Sequence, residues 1–157
     1  MADEKVISEV NFEIEQIDQL FSSYADLLER VKTNTPNLVE VTALASVLHS
    51  FYNGLENIFL SIAKGIDADV PAGFQWYRDL LNRMTESTAN RKIVLSDEMA
   101  QRLTDYLGFR HFYRHSYSFF LDWDELEKLI MPVTEVWGQA KGELQVFVNS
   151  LGPSSKM

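Results

Sequence analysis

The run PNLVEVTALASVLHSFYNGLENIFLSIAK, residues 36–64, decides the fold class. Leu38, Val41, Leu44, Ala45, Leu48, Tyr52, Leu55, Phe59 and Ile62 recur every three or four residues, the period of an α-helix with one apolar side. Thr35 is placed to cap this helix. Pro36 suits the first helical position, where its missing N–H leaves nothing unpaired, and Gly65 suits the position just past the end. On the polar side His49, Asn53 and Glu56 share a stripe through four- and three-residue steps. Such a stripe is either a solvated face or the wall of a polar cleft.

Toward the N-terminus, residues 3–32 read as one long amphipathic helix carried by Val6, Val10, Ile14, Ile17, Leu20 or Phe21, Tyr24, Leu27, Leu28 and Val31. Only Thr33 to Pro36 separate the two helices, a connection so short that the helices must be antiparallel neighbours. Toward the C-terminus a loop over 66–74 leads to a shorter helix over 76–85 that packs through Trp76, Leu80, Leu81 and Met84. Ser96 caps a fourth helix, with Asp97 and Glu98 in its first turn, running to about Phe120. Asp122 and Glu125 have the spacing of a capping box and open a last helical region that Pro132 must kink or divide. No segment alternates at period two for long. The expectation is an all-α, antiparallel bundle of about five helices, one domain over residues 1–150 with a fraying tail over 151–157.

Composition is that of a water-soluble globular chain, with 46% hydrophobic and 24% charged residues. No apolar run approaches the roughly 20 residues needed to cross a bilayer, and Met1 to Lys5 lack a signal-peptide layout. A cytoplasmic location is expected, with no membrane partner. The absence of cysteine excludes a zinc ribbon and any disulfide. The net charge of −9 is unevenly spread: residues 1–70 carry −8, residues 71–115 carry +2 and residues 116–157 carry −3. An acidic body disfavours general phosphate binding, so no DNA partner is expected and any nucleic-acid contact should be local.

The one positive third ends in Gly108-Phe109-Arg110-His111-Phe112-Tyr113-Arg114-His115-Ser116-Tyr117. This run offers a fixed cation, a group that moves protons near neutral pH and a phenol. At about 100° per residue, Arg110, Arg114 and Tyr117 fall near one line and His111 and His115 on another. His115 lies about 140° around from Arg110, so one straight helix does not focus both on a single atom. A distorted helix end, side chains wrapping toward a shared cleft or a second subunit would resolve this. Three chemistries compete. The arginines can simply pair with acids, with His115 satisfied in a core or interface. His111 and His115 have the four-residue step of a helical metal clamp, but no Glu lies between them and Arg114 opposes a cation. Or the run cleaves RNA without a metal: histidine takes a proton from the 2′-OH or gives one to the leaving oxygen, and arginine holds the phosphate. Phe112, Tyr113 and Tyr117 would then position a base or phosphate. Ser116 sits in no nucleophile elbow, and no glycine-rich phosphate loop exists.

Arg110-x-x-x-x-His115-x-Tyr117, late in the fourth helix of a small bundle, resembles the R-x4-H-x-Y signature of HEPN-domain ribonucleases, HepT-like toxins in particular. Leu48 to Phe59 is similar to that family's second helix, and Phe109 to Trp123 to its motif helix and following turn. The resemblance implies an endoribonuclease toxin that needs no cofactor or metal and acts as a homodimer with a composite cleft. It implies catalytic roles for Arg110 and His115, with His111 in the polar slot after the arginine; Arg114, Tyr113, Glu56 and His49 are expected to support RNA. The implied partner is a minimal nucleotidyltransferase antitoxin that adenylylates Tyr117, adding charge and bulk where RNA phosphate should sit. Departures are His111, where asparagine or aspartate is frequent, and the extra Arg114. The same resemblance also covers non-catalytic interaction subunits of nucleotidyltransferase pairs.

Overall fold

The computed structural model describes residues 2–114 and 121–151, and these form seven α-helices. They are α1 (Ala2–Ser23), α2 (Ala25–Arg30), α3 (Leu38–Ile62), α4 (Trp76–Arg83), α5 (Asp97–Arg114), α6 (Trp123–Ile130) and α7 (Val133–Leu151). Among the described residues there is no strand, only an isolated bridge between Thr88 and Arg91. The chain is an all-α bundle. Two of the five expected helices are each divided, which accounts for the difference in number.

The first division falls at Tyr24 (φ −107°, ψ 13°), directly after the Ser22-Ser23 pair. The hydrogen-bond ladder survives the bend, since the Tyr24 amide donates to Leu20 (3.2 Å) and the Leu28 amide to Tyr24 (3.0 Å). Serine pairs are a recognised place for helices to kink. The second division is at Pro132, as its ring requires.

α3 is the centre of the bundle. It starts one residue pair later than Thr35 and Pro36 suggest, because Asn37 is the cap. Its side chain accepts the Glu40 amide (2.9 Å), and the Glu40 carboxylate accepts the Asn37 amide (2.9 Å). This reciprocal box outcompetes a lone threonine hydroxyl. Leu38, expected on the apolar side, is instead 62% exposed in the first turn. Beyond the expected stripe Val47, Phe51 and Ile58 are also fully buried. The reason is that α3 is contacted by α1, α4, α5 and α6, so it is covered on several sides. Phe51 ties the layers together, meeting Phe21 and Tyr106 edge-on at 5.5 Å each and Trp137 at 6.1 Å.

Gly65 does not end the helix. α3 runs on through a π-helical turn, Ala63–Asp67, and stops only at Ala68, which takes the left-handed conformation (φ 55°). A Cβ on Gly65 would lie 2.3 Å from Val6 Cγ2, and one on Gly54 would lie 2.8 Å from Ile17 Cγ1. Both glycines therefore let α1 approach α3 closely. Val6 opposite Gly65 and Ile17 opposite Gly54 make the two helices antiparallel.

α5 is capped as expected by Ser96, whose hydroxyl accepts the Met99 amide (3.1 Å). Glu143 of α7 completes the cap by accepting from the Ser96 amide (2.7 Å) and hydroxyl (3.1 Å). At α6 Asp122 accepts the Asp124 amide (3.1 Å), but Glu125 pairs with Lys128 (2.9 Å) rather than closing a box. α7 continues to Leu151, the first residue of the expected 151–157 tail, which is helical and buried; residues 152–157 lie outside the described residues.

Candidate functional site

Along α5 the buried residues step through Met99, Leu103, Tyr106 and Leu107. The next residue of that helical stripe is Arg110, so the guanidinium points where the pattern would put a core side chain. Arg110 is only 9% exposed. Opposite it lies the polar stripe of α3, which is thus a cleft wall and not a solvated face. Arg110 Nη2 donates to Asn53 Oδ1 at 3.0 Å and lies 3.3 Å from Glu56 Oε1. Glu56 is itself buried, at 5% exposure. Arg110 Nε is buried without a hydrogen-bond partner among the described residues.

The neighbouring Tyr52 phenol is fully buried. Burial pushes its pKa well above the usual tyrosine value, and the Glu56 carboxylate adds to the rise against the opposing pull of Arg110. Tyr52 therefore stays un-ionised and gives the pocket a low-dielectric floor, which strengthens the field of the guanidinium.

Two aromatic arrays flank Arg110. On one side Tyr113 lies against His49 (ring centroids 5.2 Å apart) and stacks on Phe109 (5.8 Å). On the other His111, which is exposed, stacks on Tyr77 of α4 (5.1 Å, planes within 20°), and Tyr77 meets Trp76 edge-on. Of the expected site residues, then, Arg110, Glu56, His49 and Tyr113 gather at the α3–α5 junction, whereas His111 turns toward α4. The side chain of Arg114, together with His115, Ser116 and Tyr117, lies outside the described residues.

Asn53 is a direct partner of Arg110 that the candidate set omitted, although its place on the His49–Glu56 stripe was visible. Tyr77 was not anticipated, and nothing in its local sequence marks it.

The basic third of the chain is largely neutralised in place. Arg91, with no exposed side-chain surface, makes a two-point pair with Asp67 (2.7 and 3.0 Å) and donates to the carbonyls of Glu86, Lys92 and Arg83. Arg83 pairs with Asp69 (3.0 Å), and Arg102 with Gln139 (2.6 Å) and Glu135 (3.5 Å). The region is therefore not an open phosphate-binding face. Unlike the equally buried Arg91, Arg110 holds donor capacity in reserve, since its Nε has no hydrogen-bond partner among the described residues. A buried, oriented guanidinium with spare N–H capacity is suited to an anionic oxygen, above all one that gains charge during reaction.

No helix among the described residues is long and apolar enough to cross a membrane. In comparison with known proteins, the family model for HepT-like proteins matches residues 43–151, well over half of the chain. No curated protein and no solved structure matches.

Proposed function

The chain belongs to the HepT-like family, and from that premise we propose that it is a metal-independent endoribonuclease, the toxin of a toxin–antitoxin pair. The observation that carries the reading is Arg110. It is nine-tenths buried, fixed by Glu56 and Asn53, and its Nε has no partner among the described residues, at the start of the R-x4-H-x-Y sequence. A structural arginine would be expected to use all of its donors.

In the proposed reaction the ribose 2′-oxygen attacks the adjacent phosphorus and the bond to the 5′-oxygen breaks. His115 moves a proton, from the 2′-OH or onto the leaving oxygen. Arg110 holds the non-bridging oxygens as charge builds on them. The products are a 2′,3′-cyclic phosphate and a free 5′-OH. His111, Arg114, Tyr113, Glu56 and His49 bind RNA or hold the catalytic pair. Two copies share the cleft, because His115 is angularly displaced from Arg110 on an ideal helix. The partner is a nucleotidyltransferase antitoxin that modifies Tyr117, and both work in the cytoplasm.

Purified protein in EDTA should cut RNA and leave cyclic-phosphate ends, with His115→Ala and Arg110→Ala each slower by at least about a hundredfold. Equal cleavage by wild type and both variants would remove the motif from the mechanism. Co-expression with the antitoxin should add one AMP to the intact mass, and the addition should vanish in Tyr117→Phe.

One observation favours a second reading. Arg83, Arg91, Arg102 and Arg110 all have acidic partners, as in a non-catalytic subunit that serves only to bind the nucleotidyltransferase. That reading predicts no cleavage under any of these conditions.

A further inference from the structure

Asn53 faces Arg110 with only half of its amide. Its Oδ1 accepts from Arg110 Nη2 at 3.0 Å. A guanidinium has no acceptor atom, so the amide oxygen must face Arg110 and the NH2 group must turn away from it. Nδ2 then carries two N–H donors, and neither meets an acceptor among the described residues. Asn53 is half-buried on the cleft wall between His49 and Glu56, so a ligand in the cleft can reach the amide. We propose that Asn53 donates through Nδ2 to a non-bridging oxygen of the scissile phosphate, as the second donor beside Arg110. This rests on the ribonuclease reading and adds a substrate contact to it.

A bland account is that Asn53 serves only to fix Arg110. For that task a carboxylate is the better side chain, since a charge-assisted bond is about twice as strong as a neutral one. Arg91 and Arg83 are each held in that way, by Asp67 and Asp69. Arg110 already has its carboxylate, with Glu56 Oε1 at 3.3 Å. The charges of Arg110 and Glu56 cancel locally, so directed N–H groups, and not net charge, must hold a phosphate here. A second carboxylate at position 53 would leave the three side chains with a net negative charge and repel it. An amide keeps the wall neutral, satisfies the guanidinium and still has donors to give. Because the oxygen and nitrogen of an amide share one carbon and one plane, the donors of Asn53 and Arg110 lie side by side. That suits two oxygens of a single phosphate, and both contacts strengthen as attack puts charge on those oxygens.

The test is Asn53→Asp, which is isosteric, still accepts from Arg110 and loses both donors. If Asn53 only positions Arg110, this variant cuts RNA as fast as wild type. As a phosphate donor, Asn53 predicts a kcat lower by at least about a hundredfold, with a melting temperature no lower than that of wild type. A smaller loss of kcat overturns the donor role. Should Asn53→Asp melt well below wild type, Asn53→Ala takes its place, read on RNA with sulfur replacing one non-bridging oxygen at the mapped cleavage position. Wild type should cut one phosphorothioate diastereomer more slowly than the other, and Asn53→Ala should reduce that ratio at least about threefold. A smaller change overturns the contact. The ribonuclease reading fails separately, if wild type cuts nothing. Binding of a short dye-labelled RNA then decides the contact. A Kd raised at least about tenfold in Asn53→Asp keeps the phosphate donor without the ribonuclease, and a smaller rise rejects both.

Discussion

Removing Glu56 from beside Arg110 is costly, because the guanidinium would remain buried with Asn53 as its one described partner. Taking two charges out of water costs several kcal/mol each, and the pair recovers this only through close contact and added hydrogen bonds. Glu56→Gln should lower unfolding free energy by about 3 kcal/mol, the lower end for a broken buried pair, since glutamine still offers an oxygen. Urea denaturation measures it; a loss under about 0.5 kcal/mol would mean that water already reaches the carboxylate. The double variant Arg110→Met/Glu56→Leu should regain most of the loss, as apolar replacements of buried pairs do, while cutting no RNA. That contrast separates the role of the pair in folding from its role at the site. The position of Arg110 was legible, because it continues the stripe Met99-Leu103-Tyr106. What a helical wheel does not show is which polar groups α3 would present to it. Asn53 looked equivalent to its neighbours until α3 and α5 were brought together.

At the level of elements the helices themselves were readable from their period, and their ends were less so. Gly65 has the composition of a stop signal, but its missing Cβ serves the approach of Val6, and the left-handed turn falls on Ala68 instead. One residue type answers two different needs, and only packing distinguishes them. Asp18 makes a similar long-range link that no local pattern announces. It accepts from Trp137 Nε1 (2.8 Å) and Lys141 Nζ (2.6 Å), pinning α1 to α7. Burial raises the Asp18 pKa, but the hydrogen bonds from Lys141 and Trp137 outweigh it and hold the carboxyl below its ordinary value. A depressed carboxylate pKa contributes stability that is complete above the unfolded value of about 3.9 and is lost as pH falls through the folded value. With the Asp18 side chain 42% exposed, the contribution should stay under about 1 kcal/mol. Asp18→Asn should thus lower the melting temperature by up to about 3 °C at pH 7. The gap to wild type should close as the pH falls below the ordinary carboxylate range and through the depressed folded value. A gap that persists in acid would assign the loss to packing against Trp137.

Across the whole molecule, the charge distribution bears on the proposed ribonuclease function, which it would confine to a small area of RNA contact. The chain carries a net −9, and the arginines that make residues 71–115 positive are mostly consumed by internal partners. Summing charge along the sequence exposed the asymmetry but not the pairing, because Arg91 meets Asp67 and Arg102 meets Glu135 only once the helices are assembled. A protein that tracks the backbone with a broad basic face releases many counterions, and its affinity falls steeply with salt. Each phosphate neutralised on a single strand contributes a slope of about −0.7 in log K against log salt. With Arg110 and Arg114 as the contacts, the expected slope for the His115→Ala protein and an unstructured RNA lies between about −0.7 and −1.4. A slope steeper than about −4 would require more cations than this cleft supplies and would place the RNA on a surface other than the α3–α5 junction. A shallow slope is the signature of a site that holds one or two phosphates firmly and leaves the acidic remainder of the surface out of the contact.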